Sequence, residues 1–252
     1  MLIDSHCHLN LPPLSEDLPH ILQRAINCGV KEFICPSVSA DSWPELTELS
    51  IAHASIHPAF GIHPLWVDGS SSSRLSAVES QFAGGVAIGE IGLDYSRKDT
   101  DRELQKAVFR RQLEIGKELR LPVIIHCREA IADTLSIIRA VGTLPAGGVL
   151  HAFSGSIESA REAVKLGLQI GIAGAITWHS SVKPRQIARE IPLGHLLIET
   201  DAPDMTPERY RGSTCEPSFL PEIAEEIAVI RGISMEEVAA ATTSNAKRLF
   251  NV

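Results

Sequence analysis

Eight short apolar runs punctuate the 252-residue chain, and helix-like stretches separate them. The runs are Leu2–Ser5, Glu32–Val38, His57–Ile62, Val86–Leu93, Pro122–His126, Gly148–His151, Leu168–Ala173 and Leu196–Glu199. Most are continuously apolar, as strands buried on both faces of a parallel sheet must be. The stretches between them carry helix punctuation. Thr100-Asp101-Arg102-Glu103 reads as a capping box opening a helix to about Leu119, and Ser234-Met235-Glu236-Glu237 reads as another. Leu220, Ile223, Ile227 and Ile230 form an apolar stripe at helical spacing, stopped by Gly232. Eight strands alternating with helices predict an α/β chain of the (β/α)8, TIM-type barrel class, with some distortion allowed. An open doubly wound sheet competes, but no glycine-rich dinucleotide fingerprint follows an early strand. Gly69-Ser70-Ser71-Ser72-Ser73 reads as a flexible loop rather than a linker, so residues 1–252 are taken as one domain.

Composition narrows the classes of function. The net charge of −8 repels polyanions, so any handling of DNA must rest on local cations and metal rather than on a broad positive field. No apolar stretch approaches the roughly 20 residues that span a bilayer, and no signal peptide is recognised at the N-terminus. The five cysteines are odd in number and scattered, which suits reduced thiols in a cytoplasmic protein.

Candidate ligands fall where barrel enzymes assemble their active sites, at the carboxyl ends of strands. His6 and His8 end the first run, and alternation along an extended segment points both imidazoles one way and Cys7 the other. Glu90 lies in the fourth run, His126 ends the fifth, His151 ends the sixth and Asp201 follows the eighth. Four imidazoles and two carboxylates exceed the needs of one tetrahedral ion. They suit two divalent cations about 3.5–4 Å apart, bridged by a carboxylate. Imidazole-rich ligation favours zinc or manganese, whereas magnesium prefers oxygen. His20, His53, His57, His179 and His195 lack such placement and are read as surface or core histidines. Cys7 and Cys127 read as small buried hydrophobes in the barrel wall. Ser154 lacks a nucleophile elbow and reads as loop or helix cap.

These motifs resemble those of the TatD family of metal-dependent deoxyribonucleases, within the amidohydrolase superfamily. The resemblance runs through Asp4-Ser5-His6-Cys7-His8-Leu9, Gly61-Ile62-His63-Pro64, Gly89-Glu90-Ile91-Gly92-Leu93-Asp94-Tyr95 and Pro122-Val123-Ile124-Ile125-His126-Cys127-Arg128. It continues through His151-Ala152-Phe153-Ser154-Gly155, Glu199-Thr200-Asp201-Ala202-Pro203 and Asn245-Ala246-Lys247-Arg248-Leu249-Phe250. The resemblance implies that His6, His8 and Asp201 hold one metal, that His126 and His151 hold the other, and that Glu90 bridges them. It implies magnesium dependence, and places His63 and Arg128 near the substrate phosphate. One departure is Cys215, which stands where the family commonly has asparagine, in a loop expected to border the mouth.

The expected function is metal-dependent hydrolysis of DNA phosphodiesters, 3'-5' exonuclease-like, on single-stranded or 3' ends, by a monomer. Asp201 is expected to orient the metal-activated water and accept its proton. The second ion, His63 and Arg128 would offset charge on the phosphodiester oxygens. For Arg128 an ion pair with Glu129 or Asp133 is the competing role, and Arg97, Lys98, Arg209 and Arg211 are candidate mouth cations or, equally, solvated surface charges. Two rival readings stand beside it. One is a hydrolase of a small lactone, amide or phosphoester using the same centre, favoured by the acidic charge and by an aromatic content of only 5%. The other is a non-catalytic metal-binding protein, which would leave an evident base without work.

Overall fold

The computed structural model describes residues 1–77 and 84–252. Each apolar run forms a strand, with ends displaced by no more than two residues. They are β1 Leu2–Asp4, β2 Val30–Pro36, β3 Ile56–Phe60, β4 Ala87–Asp94, β5 Val123–Arg128, β6 Gly148–Leu150, β7 Leu168–Ile172 and β8 Leu196–Ile198. Neighbours pair in parallel in the order β1 to β8. The ring closes around the ends of β1 and β8. There Ser5 N–H donates to Ile198 O (3.2 Å), Asp201 N–H to His6 O (2.9 Å) and His8 N–H to Ala202 O (2.8 Å). The protein is a (β/α)8 barrel, and its closing seam is built from the segments that carry His6, His8 and Asp201.

Helices cover the outside: α1 Leu18–Asn27, α2 Trp43–Ala52, α3 Ser71–Ala77, α4 Arg102–Leu119, α5 Ile131–Val141, α6 Ile157–Lys165, α7 Lys183–Glu190, α8 Leu220–Arg231 and α9 Met235–Phe250. Two local expectations are corrected. Helix α4 is capped by Asp101, whose carboxylate accepts from Leu104 N–H (3.0 Å), while the Thr100 hydroxyl donates back to Arg97 O. Ser71–Ser73 do not form a loop but the first turn of α3, because Asp68 accepts from the backbone of Ser70 and the hydroxyls of Ser70 and Ser71. The capping box at Ser234 and Glu237 is present, and α8 stops at Gly232 in the left-handed conformation, φ 64°. Among the described residues, no helix is long and apolar enough to cross a membrane.

Two apolar cores sit on opposite faces of the strands. The larger lies between barrel and helices. The smaller is a floor inside the ring, made by Ile3, Ile34, Ala59, Ala87, Ile124, Val149 and Leu197. Every strand but β7 contributes to it; there Gln169 stands in register with Val149. Ala246 and Phe250 of α9 pack on this floor and close the amino end of the barrel.

Candidate metal centre

Strand alternation carries polar side chains from the floor to the mouth. In β5, Ile124 is followed at two-residue steps by His126 and Arg128; past β6, Val149 is followed by His151; past β8, Leu197 is followed by Glu199 and Asp201. Past β3, Ala59 leads to Gly61 and His63. Two strands slip by one residue. Ala87 faces the floor while Ile88 and Ile91 both face the outer core, and the register shifts between Ile88 and Ile91. That shift is what turns Glu90 inward. It also needs glycine nearby: a Cβ on Gly92, at φ 139°, would stand 2.0 Å from His126 O. In the first strand Ile3 faces the floor, the chain bends at Ser5 and His6, and His6 and His8 then face the mouth. Cys7 turns into the outer core, as alternation requires.

The six candidate ligands converge. His6 Nε2 and His8 Nε2 are 3.1 Å apart, and His126 Nδ1 and His151 Nε2 are 3.2 Å apart. Glu90 lies between the two pairs. Its Oε2 is 3.3 Å from His6 Nε2 and 3.4 Å from His8 Nε2, while its Oε1 is 2.9 Å from His126 Nδ1 and 2.8 Å from His151 Nε2. Asp201 Oδ1 stands 3.5 Å from His6 Nε2 and 3.9 Å from His8 Nε2. Asp201 itself is held at φ 55° by the seam bond to His6 O. His63 Nε2 is 3.5 Å from Glu90 Oε1. Three overlapping groups, His6/His8/Glu90, His6/His151/Asp201 and His63/Glu90/His126, have donor atoms close enough to hold a cation.

Outer partners fix which ring nitrogen faces inward. His8 Nδ1 lies 3.1 Å from Pro36 O, a pure acceptor, so Nδ1 carries the proton and Nε2 is left free. His126 Nε2 lies 3.1 Å from Asp94 Oδ2, which leaves Nδ1 free. His151 Nδ1 faces Glu199 Oε1 at 3.7 Å. Glu199 is fully buried and is held by the Ser5 hydroxyl (3.0 Å) and Ala152 N–H. A side chain at Gly171 would collide with its carboxylate at 2.6 Å. His63 is the exception: its Nδ1 accepts from Leu65 N–H (3.2 Å), so its proton is on Nε2, the nitrogen that faces the site. His63 is thereby arranged as a donor rather than as a ligand.

Protons hold this cluster together where cations are absent. Burial alone would raise Glu90, but the imidazoles around it hold its carboxyl well below the usual range. Burial opposes a proton on His151, yet Glu90, Asp201 and Glu199 outweigh it and push His151 up to about 10. His6 and His63 go the other way under burial, His6 well below its ordinary value and His63 down to about 3. Burial also raises Asp201. Imidazole nitrogens about 3 Å apart around a buried carboxylate, with outer acceptors on the opposite ring nitrogens of His8 and His126, fit divalent cations.

The centre opens into a cavity of about 460 Å³ lined by His8, His63, Glu90, His126, Arg128, His151 and Asp201 on its polar side. Arg128 is exposed, and among the described residues no carboxylate lies within ion-pairing distance of it; Asp133 pairs instead with Lys106 and Tyr95. Arg97, Arg209 and Arg211 do not line this cavity, because each pairs with a nearby acid, Asp99, Glu222 and Glu208. Lys98 is exposed and also stands outside it. Cys215 does not border the mouth either. It is fully buried in the outer core, with its thiol against Thr200 O at 3.7 Å. His20 and His57 pair with Asp17 and Glu32 away from the centre. A wider cleft of about 570 Å³, lined by Glu208, Glu222, Glu225 and Glu226, contains none of the candidate ligands. Sequence reasoning missed Asp94 and Glu199 as outer partners. Their signal was the same two-residue step that places His126 and Asp201.

A barrel with imidazoles and carboxylates gathered at its carboxyl-end mouth belongs to the class of metal-dependent hydrolases. The family described as TatD related DNase matches residues 3–251, and the chain belongs to the TatD family. It is similar over its whole length to the metal-dependent hydrolase YabD of Bacillus subtilis, at 37% identity and 100% coverage of both chains. The metal-dependent hydrolase YcfH of Escherichia coli K12 is 36% identical, over 100% of this chain and 96% of its own. The crystal structure of YjjV, a TatD homologue from Escherichia coli K12, superposes with a TM-score of 0.94 at 35% identity, covering 100% of this chain and 98% of that one.

Proposed function

We propose that the chain hydrolyses DNA phosphodiesters, trimming single-stranded or 3' ends, with two divalent cations at the barrel mouth. His6, His8 and Asp201 would hold one, His126 and His151 the other, and Glu90 would join them. The observation that carries this reading is the Glu90 carboxylate, each of whose oxygens faces a different pair of imidazoles. Bound cations supply Lewis acidity, which makes a coordinated water more acidic and draws charge from phosphoryl oxygens. The remaining work falls to side chains. Asp201, raised by burial and open to the cavity, accepts the proton of the attacking water. His63, neutral and with its proton on Nε2, donates a hydrogen bond to a non-bridging oxygen. Arg128, with no carboxylate partner among the described residues, offers a charge to the same phosphate. Asp94 holds the His126 ring in place through a hydrogen bond, and Glu199 faces Nδ1 of the His151 ring.

The test is a 5'-labelled single-stranded oligonucleotide incubated with protein and added magnesium, manganese or zinc. Stepwise shortening that is lost in Glu90→Gln is the expected result. Intact DNA beside cleaved lactones or small phosphoesters would transfer the centre to the second reading, a small-ester hydrolase. The net charge of −8, and Arg128 as the one arginine or lysine lining the mouth among the described residues, favour that reading.

A further inference from the structure

The mouth is not lined by polar groups alone. Leu11, Val38, Leu65, Trp66 and Met205 line the same cavity as the imidazoles, carboxylates and Arg128 and form the apolar part of its wall. Trp66 is 60% exposed and is the only aromatic among the large exposed apolar residues of the described chain. The three tryptophans are used differently. Trp43 is buried and its indole N–H donates to Ser37 and Gly61; Trp178 donates to Thr206 O and lies under the Arg211 guanidinium. Trp66 has no hydrogen-bond partner for its indole among the described residues, and most of its surface gains nothing from folding. Its backbone, by contrast, is fixed. Trp66 N–H donates to His63 O (2.8 Å), and Leu65 N–H donates to His63 Nδ1. One turn therefore both aims the His63 donor into the site and presents a flat ring at the rim.

We infer that this wall, with Trp66 foremost, binds the nucleobase next to the phosphodiester being cut. The inference rests on the phosphodiesterase reading above and adds to it the part of the substrate that is not phosphate. An anionic group drawn to the polar part leaves its attached planar ring beside Leu65 and Trp66. An indole accepts any base by stacking, without reading its edges. The wall thus selects substrates that carry a ring beside the ester, and tolerates any base sequence.

Two 5'-labelled oligonucleotides, alike except that the 3' nucleotide is normal in one and abasic in the other, test this in the metal-loaded protein. The readout is the ratio of kcat/KM for the two substrates. Trp66→Ala is expected to lower the preference for the base-bearing end roughly ten-fold or more, and Trp66→Phe, which keeps a stacking ring, to restore most of it. Tryptophan emission gives an independent reading. Deoxyadenosine monophosphate should quench it where deoxyribose 5-phosphate does not, and the quench should be missing in Trp66→Phe. An unchanged preference in Trp66→Ala, with no base-dependent quench, overturns the inference while leaving the phosphodiesterase reading intact. If neither oligonucleotide is cut, the phosphodiesterase reading fails, and the quench alone decides whether the wall binds a base.

Discussion

At the amino end of the barrel Ile34, Ile124, Val149 and Leu197 meet Phe250, and all of them are apolar and almost wholly buried. A step or two further along the same strands the interior holds His126, His151, Glu199 and Asp201 instead. The floor stabilises the fold, each large side chain contributing roughly 1.5–3 kcal/mol by leaving water. The mouth does the reverse: it buries ionisable groups whose desolvation is costly unless protons or cations compensate. The barrel thus separates the residues that hold it together from those that work, by steps of two along β5, β6 and β8. Where that step fails, at Glu90 and at His6, the backbone itself is irregular.

The sharpest way to break the comparison is at Glu90. Glu90→Gln should reduce metal-dependent hydrolysis by more than the roughly 10–100-fold that loss of an outer partner costs, with the circular dichroism spectrum unchanged. At the floor, Ile124→Ala should cost about 2–5 kcal/mol in urea unfolding and leave the metal bound per folded chain unaltered. Loss of metal in that variant would mean the two ends are not separable. Asp94→Asn and Glu199→Gln should each weaken metal binding about 10–100-fold by calorimetry, and unchanged affinity would deny them their orienting role.

The dependence on pH follows from His151. Its metal-free value is raised from 6.5 to about 10, so its proton stabilises the metal-free fold fully below 6.5, and that contribution is lost as pH rises through 10. A cation has to displace that proton. Metal affinity should therefore rise by up to about ten-fold per pH unit between these limits, which titrations at three pH values would show. The smallest effect is expected at Ser234→Ala, which removes the cap of α9 and should cost about 1 kcal/mol of stability without touching the mouth.

Much of this was legible beforehand because parallel strands buried on both faces leave continuous apolar runs, and because a barrel puts strand ends at one mouth. His126, His151 and Asp201 lie on regular steps and could be placed by counting. Glu90 could not, since Ala87 and Glu90 share the interior only through a shift that nothing but Gly89 and Gly92 announces. The arginines stayed ambiguous for a different reason: a long side chain takes whichever carboxylate is near, as Arg97 takes Asp99 and Arg211 takes Glu208, which leaves them surface charges. Cys215 lies close in sequence to mouth residues but turns its thiol to Thr200 in the outer core. Trp66 was hidden because an aromatic beside a proline-led turn reads as core until its exposure is known.

The central claim, that Glu90 joins two cation subsites, is tested most directly by the number of manganese or zinc ions bound per chain, measured calorimetrically after chelation. Wild type should take two, while His6→Ala and His126→Ala should each take one. A single equivalent in wild type, or two retained in both variants, would contradict it.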